Sequence, residues 1–154
     1  FDFIKMSCAN CELVYYQNVA SAVAVILRKE DKILFTVRNK EPKKGMLDLA
    51  GGFTDPDETV ERACQREIEE ELGITIPFDQ FHYFLSQPNN YEYKGIPYKT
   101  ADLAFVADFP NENITIEKEE IAAVKWIPIN DIKLEEIGFD SLRNVVKSYI
   151  ESMK

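Results

Sequence analysis

Hydrophobic and polar positions along the chain predict strands and helices in an irregular succession. The segment 20–27 is a continuous run of small and β-branched residues, which is typical of a strand buried on both faces. A charged turn separates it from a second apolar run at 33–38, and the two are predicted to pair as a hairpin. Further strands are predicted at 46–50, 81–86, 99–108 and 122–127, and a polar, tyrosine-rich loop at 87–98.

Two helices are predicted from apolar positions three and four residues apart. The first is expected to begin with Asp55 as its N-cap and Pro56 in the first turn, and to end at Gly73, so that about 17 residues span roughly 25 Å. Its apolar stripe consists of Val60, Cys64, Ile68 and Leu72. The second helix is expected at 140–153 with a side-chain cap from residue 140 or 141. Together the pattern predicts an α/β fold with a mixed β-sheet covered by helices on both faces.

The end of the first predicted helix carries an unusual concentration of glutamates. Glu67, Glu70 and Glu71 fall within about 100° of one another on a helical projection, whereas Glu69 points elsewhere. They lie where the helix dipole is negative, and each like-charge pair costs roughly 0.2 to 0.5 kcal/mol. Clustered carboxylate oxygens suit Mg²⁺ or Mn²⁺ better than zinc. A solvated acidic face is the alternative interpretation, and spacing alone does not separate the two.

Length, composition and charge limit the number of domains and the kinds of ligand that the chain could bind. A chain of 154 residues with 45% hydrophobic content is expected to form one domain with a full core. The net charge of −9 argues against binding of long nucleic acid, although a small nucleotide remains compatible if metal ions supply positive charge. No apolar run has the length of a membrane span or the layout of a signal peptide, and the three cysteines are odd in number. We therefore expect a cytoplasmic protein, without membrane contact.

Cys8 and Cys11 form a CxxC pair within a short N-terminal lead, residues 1–18. A structural zinc site needs four ligands, but Cys64 belongs to the helix stripe and His82, in a predicted strand, is the only histidine. Zinc binding is therefore expected only if a second CxxC lies upstream of Phe1.

The glutamate-rich helix also carries a family pattern: Gly, five residues, Glu, seven residues, Arg-Glu, an aliphatic residue, any residue, Glu-Glu, any residue, Gly and an aliphatic residue. The chain fills every fixed position, with Gly52, Glu58, Arg66, Glu67, Ile68, Glu70, Glu71, Gly73 and Ile74. In this respect it resembles the Nudix hydrolases. The resemblance implies a Nudix-type α/β/α sandwich over residues 19–154 and Mg²⁺- or Mn²⁺-dependent hydrolysis of a nucleoside diphosphate derivative.

The resemblance also implies roles for individual residues. Glu67 and Glu71 correspond to the main metal ligands, with Glu70 as an auxiliary ligand and the Gly51 carbonyl as a further one. Glu120, beside Glu119, best matches a later glutamate that binds metal or acts as the base. The catalytic base is therefore expected to be Glu70 or Glu120. Arg66 and Glu58 are expected to orient the helix by pairing their charges.

Candidate substrate contacts are less specific. Tyr91 could stack on a base, Lys44 could meet phosphates, and Phe53 is interpreted equally well as core or as a ligand contact. The lead and the segment beginning at Ser86 resemble the NADH pyrophosphatase subgroup, with its N-terminal zinc ribbon. That subgroup continues with Trp-Pro-Phe-Pro, whereas this chain has Asn-Asn-Tyr-Glu at 89–92, which argues against activity on NADH.

Two functions from different classes follow. The first is a metal-dependent pyrophosphohydrolase acting on a dinucleotide, nucleotide sugar or nucleoside triphosphate, with a homodimer left open. The second is a Nudix-like regulatory domain that senses a nucleotide without cleaving it. The retained acidic positions favour the hydrolase, because a domain that only binds its ligand does not need them.

Overall fold

The computed structural model describes residues 4–154, in which a small N-terminal sheet precedes the main domain. Strands β1 (Lys5–Ser7) and β2 (Val14–Tyr16) pair antiparallel and place the CxxC pair in the turn between them. Of the lead predicted at 1–18, residues 1–3 lie outside the described part. No helix within residues 4–154 combines the length and the apolar character needed to cross a membrane.

The main domain is built on a seven-stranded mixed sheet. Its central strands are β3 (Ala20–Lys29) and β8 (Ile96–Asp108), which run parallel to each other over nine paired residues. All other pairings are antiparallel. The remaining strands are β4 (Lys32–Arg38), β5 (Leu47–Asp48), β6 (Ala50–Phe53), β7 (His82–Tyr93) and β9 (Ile121–Pro128).

The sheet divides between β3 and β4. These two strands pair only at the tip of their hairpin, at two residues of each strand. Farther along, β6 pairs with β3, whereas β5 and β9 pair with β4. Because Gly51 and Gly52 of β6 pair with Ala24 and Val23 of β3, little side-chain volume fills the division. A cavity opens there.

Two helices cover opposite faces of the sheet. Helix α1 (Val60–Leu72) packs its predicted apolar stripe against one core, in which Cys64, Ile68 and Leu72 are fully buried. Helix α2 (Asp140–Ser152) packs Val145, Val146 and neighbouring residues against a second core on the other face. The predicted α/β fold, with a mixed β-sheet covered by helices on both faces, is confirmed.

The predicted start of the first helix is wrong. Thr59 is the N-cap, and its hydroxyl accepts a hydrogen bond from the Arg62 N–H at 3.2 Å. Asp57 has a φ of 66°, which is incompatible with a continuous helix, so Asp55 begins a turn instead. The Glu58 carboxylate accepts the Asp55 N–H across that turn at 3.0 Å. Helix α1 therefore has 13 residues and extends about 20 Å.

The predicted loop at 87–98 is also wrong. Strands β7 and β8 continue through it as a long hairpin, joined by Lys94 and Gly95 with φ values of 50° and 77°. At α2 the predicted side-chain cap is absent, because Phe139 occupies the cap position and makes no such bond.

Candidate active site

A cavity of about 630 Å³ occupies the division of the sheet. Its lining includes eight acidic residues: Asp48, Asp55, Glu67, Glu70, Glu71, Asp102, Glu117 and Glu120. It also includes the Gly51 and Gly52 backbone and the aromatic rings of Phe53, Tyr91 and Phe139. The structure thus brings together every predicted metal and catalytic residue, and it brings together two of the three predicted substrate contacts.

The acidic end of α1 is held by the chain that precedes β9. The backbone N–H groups of Thr115 and Glu117 donate to the carbonyls of Leu72 and Glu71, at 2.9 and 3.0 Å. These carbonyls would otherwise lack partners at the helix end. The same contacts carry the segment 117–120 to the cavity, where Glu117 and Glu120 join the helix glutamates.

Arg66 partly offsets the repulsion among these glutamates. Its guanidinium lies 2.7 Å from Glu67, 3.0 Å from Glu58 and 3.2 Å from Glu70, and it donates to the Phe53 carbonyl at 2.9 Å. The Glu58 side chain is only 14% exposed, and the bond from Arg66 lowers the pKa of its carboxyl. The charge pairing expected of Arg66 and Glu58 is therefore present.

Replacing Arg66 with glutamine is expected to lower the free energy of unfolding by about 2 kcal/mol, because Glu58 and Glu67 would lose their charged donor. Arg62→Gln is the matched control on the same helix. Arg62 donates a side-chain hydrogen bond to the neutral Gln65 amide and lies over the Phe78 ring, so a loss below about 1 kcal/mol is expected. Urea unfolding of the metal-free variants measures both values. Equal losses would contradict the role of Arg66.

Glu71 and Glu67 are more desolvated than Glu70, their neighbour on α1. Glu71 accepts the Gly51 N–H at 3.0 Å, and desolvation raises the pKa of its carboxyl well above the ordinary value. Desolvation also raises the pKa of Glu67, although Arg66 opposes this. Glu70 is more open, with 59% of its side chain exposed.

The acidic lining fits a divalent cation in its chemistry, since carboxylates and backbone carbonyls are the ligands Mg²⁺ and Mn²⁺ prefer. Within residues 4–154, however, no three His, Cys, Asp or Glu side chains stand ready as a metal-binding group. Arg66 explains part of this arrangement, because it bonds to both Glu67 and Glu70. Binding of a cation would require those two carboxylates to be shared with it.

The raised pKa values predict a pH dependence of stability. A carboxyl whose pKa is raised on folding binds its proton more tightly in the folded state, so stability falls as pH rises from its unfolded to its folded pKa. We expect metal-free protein to lose thermal stability as pH rises from about 5 to neutrality, a range above the ordinary glutamate pKa. Mg²⁺ binds ionised carboxylates and should stabilise more at the higher pH.

Thermal melts with and without Mg²⁺ at each pH measure the effect. Glu71→Gln should flatten the metal-free profile because it removes the group with the strongly raised pKa. A profile that stays unchanged in this variant would contradict the assignment to Glu71.

Glu120 lies opposite the helix and is paired with Lys40, whose Nζ is 2.6 Å from its carboxylate. Both side chains are about half exposed, so the pair contributes little to stability. Lys40 also lines the cavity, whereas Lys44 is exposed on its loop and is not part of the lining. The sequence suggested Lys44 as a phosphate contact, but the structure places Lys40 at the cavity instead. Both lysines lie in the same polar loop, and its composition does not show which of them faces the site.

The aromatic end of the cavity contains two predicted contacts. Phe53, 43% exposed, meets Tyr91 edge to face at 5.7 Å between ring centroids. Tyr91 in turn lies 5.8 Å from Phe139 with the rings tilted by 30°. Phe139 was not predicted, because its place in the site depends on the start of α2.

Two acidic residues with little exposed surface, Asp48 and Asp102, were also missed. Asp48 pairs with Arg38 at 2.5 Å, and desolvation raises the pKa of its carboxyl despite this partner. Asp102 is 7% exposed and accepts hydrogen bonds from two hydroxyl groups. Each stands alone in an apolar strand segment, and a single charge in such a segment is the signal that could have indicated them.

The CxxC pair lies far along the chain from these residues. In its turn the Glu12 backbone N–H donates to the Cys8 carbonyl at 3.1 Å, and hydrogen bonds from the Asn10 backbone and the Cys11 side chain lower the pKa of the Cys8 thiol. Cys64 is buried, and desolvation raises the pKa of its thiol. Within the described chain no further ligands complete a zinc site around the pair.

Comparison with known proteins places this geometry in a family. The family model described as NUDIX domain matches residues 18–149. The NAD-capped RNA hydrolase NudC of Klebsiella pneumoniae subsp. pneumoniae is 30% identical over 129 residues, which are 84% of this chain and 47% of the relative. The chain thus spans about half the length of the curated relatives it matches.

Solved structures show the same fold. A MutT NUDIX hydrolase from Burkholderia pseudomallei has a TM-score of 0.73 at 22% identity, covering 90% of this chain and 100% of that one. The NUDIX domain of Shewanella oneidensis NrtR, complexed with ADP ribose, has a TM-score of 0.71 at 22% identity, covering 90% and 91%.

Proposed function

The chain belongs to the NUDIX domain family, and on that premise we propose that it hydrolyses the pyrophosphate bond of a nucleoside diphosphate derivative with Mg²⁺ or Mn²⁺. One observation carries the proposal: all acidic positions of the family pattern are filled, and Glu67, Glu70, Glu71 and Glu120 line one cavity. A dinucleotide, a nucleotide sugar and a nucleoside triphosphate are the substrate classes considered.

The residues proposed to hold the metal are Glu67, Glu71, Glu70, Glu120 and the carbonyl of Gly51. A divalent cation bound there would neutralise charge on the diphosphate and lower the pKa of a bound water. The chain's own contribution is to place these oxygens. The Gly51 N–H orients Glu71, and Arg66 orients Glu67 and Glu70.

The proposed base is Glu70 or Glu120. Both carboxylates line the cavity and are about half exposed, so either can accept a proton from water that enters it. Each also has a cationic neighbour, Arg66 for Glu70 and Lys40 for Glu120. Comparing the pH profiles of kcat for Glu70→Gln and Glu120→Gln would assign the role, since loss of the base removes the acidic limb.

Substrate contacts are proposed at the aromatic end. Tyr91 and Phe53 present ring surface to the cavity, which suits a nucleobase or a ribose face. Lys40 is better placed for phosphate than Lys44, because it lines the cavity beside Glu120.

The test is a panel of NADH, ADP-ribose, nucleotide sugars, diadenosine polyphosphates and nucleoside triphosphates, each with Mg²⁺ or Mn²⁺ and with products identified. We expect at least one compound to be cleaved at its pyrophosphate bond. ADP-ribose merits inclusion because a structural neighbour is complexed with it, and NADH because the segment beginning at Ser86 resembles the NADH pyrophosphatase subgroup. Tight binding without turnover of any compound would instead favour a nucleotide-sensing domain, the alternative function.

A further inference from the structure

Asp102 is a buried acidic residue in the cavity lining, on a different element from the glutamates of α1. It sits on β8 beside Ala22 of β3, which in turn pairs with Phe53 of β6. The residue is 7% exposed and lines the cavity with Tyr91 and Phe139. One cavity therefore contains both a buried carboxylate and aromatic rings.

The hydrogen bonds of Asp102 leave acceptor capacity unused. Thr100 Oγ1 donates to Oδ1 and Ser141 Oγ donates to Oδ2, each at 2.7 Å. An ionised carboxylate offers about four acceptor sites, so about two remain. Across residues 4–154 the ion pairs involve other carboxylates and none reaches Asp102. Burying a charge without an ion-pair partner costs free energy, so the charge of Asp102 requires an explanation.

A structural role explains only part of this. The bond from Ser141 ties the first turn of α2 to the sheet, at a helix start that lacks a side-chain cap. A neutral asparagine could make comparable bonds to both hydroxyls with less desolvation cost. The charge of Asp102 instead favours a ligand that brings N–H donors into the cavity.

The surrounding rings indicate what kind of ligand carries those donors. Tyr91 lies 5.8 Å from Phe139 between centroids and 30° from parallel. Phe139 itself is only 8% exposed and has Arg38 over its ring, so Tyr91 supplies the accessible ring surface and Leu142 adds apolar lining. Such a wall suits a flat heteroaromatic ring better than a sugar. The exocyclic amino group of a purine is a donor on a ring of this kind, whereas hypoxanthine lacks it.

We infer that Asp102 selects the base of the substrate by accepting a hydrogen bond from a purine amino group. This inference rests on the proposed function, since it assigns the base end of the same cavity. Adenine and guanine nucleotides are then favoured over hypoxanthine nucleotides. An adenine-to-hypoxanthine change replaces a donor by a carbonyl acceptor, and two acceptors facing each other in a buried site repel.

The test compares ADP-ribose, GDP-ribose and the inosine analogue IDP-ribose, which share the ribose and the diphosphate. Hydrolysis is measured with Mg²⁺, and dissociation constants are measured separately by calorimetry with Ca²⁺. For the wild-type protein, at least one amino-bearing compound is expected to be preferred over IDP-ribose on the order of 10- to 100-fold. In Asp102→Asn the preference should fall towards unity, because the amide can donate to the inosine carbonyl.

Ser141→Ala is the matched control, since it removes one hydroxyl from Asp102 and leaves the charge. It should lose stability and keep the base preference. Equal loss for all three compounds in Asp102→Asn, with an unchanged ratio, would assign Asp102 a purely structural role and overturn the inference. If Asp102→Asn fails to fold, the wild-type ratio decides.

Failure of the two proposals is distinguishable. Base-dependent dissociation constants without hydrolysis would overturn the proposed function and support the role of Asp102. Hydrolysis of IDP-ribose as fast as the other two would support the function and overturn the inference. No binding of any of the three compounds would also overturn it.

Discussion

Glu71→Gln is expected to lower kcat/KM at least about 100-fold, because the metal charge held at this site is worth several kcal/mol to phosphoryl transfer. Glutamine keeps the size of the side chain and can still accept the Gly51 N–H. What it loses is the negative charge. Glu67→Gln is expected to have a comparable effect. Steady-state hydrolysis of the best compound of the panel in Mg²⁺ measures both variants.

Glu69→Gln is the matched control for these substitutions. Glu69 belongs to the same helix turn but is exposed and is not part of the cavity lining, so its variant should retain wild-type kcat/KM. Glu71→Gln should also be at least as stable as the wild type without metal, since it removes a desolvated charge. A fully active Glu71→Gln would show that the proposed site is wrong.

The elements that the sequence predicted well are those whose pattern is local. The apolar run that became β3 and the four-residue repeat of α1 each determine their own burial, and both cores form where these patterns predict. The helix start was mispredicted because Asp55 and Pro56 imitate the cap and first turn of a helix. Asp57, in a left-handed conformation, ends the turn they form, and the helix begins after Thr59.

The long β7–β8 hairpin shows the limit of composition as a guide. Its outer half is largely exposed, so its strands carry polar residues and tyrosines instead of an apolar run. The useful signal was the turn: Lys94 and Gly95 occupy a two-residue connection in which both φ values are positive. Glycine at the second position permits it.

The residues of the candidate site also fall into those that local sequence indicates and those that only the fold brings together. Glu67, Glu70 and Glu71 were found because they share one helix and one family pattern. Asp102 was not found, because its environment is made by residues distant in sequence, among them Ser141, 39 residues away. Arg38 and Asp48 likewise meet only when β4 and β5 pair. Such residues can be suspected from the sequence, as isolated charges in strands, but their partners require the fold.

Alanine at the two glycines of β6 is expected to have different effects: Gly51→Ala should lose stability, whereas Gly52→Ala should lose mainly activity. A Cβ at Gly51 would lie 2.0 Å from the Val23 carbonyl oxygen, where the backbone of β3 pairs with β6. Backbone at that distance cannot move without breaking the pairing, so Gly51→Ala is expected to lose more than about 4 kcal/mol of stability. A Cβ at Gly52 would instead meet Glu67 Oε1 at 2.5 Å, the end of a flexible side chain.

Gly52→Ala should therefore fold, with a stability loss of about 1 kcal/mol, while the Glu67 carboxylate is pushed from its place. We expect its kcat/KM to fall on the order of 10- to 100-fold, since small displacements of a charged ligand weaken electrostatic catalysis strongly. Urea unfolding and steady-state kinetics on both variants separate the two effects. A stable Gly51→Ala would contradict the close strand contact. A fully active Gly52→Ala would show that hydrolysis does not depend on the position of the Glu67 carboxylate.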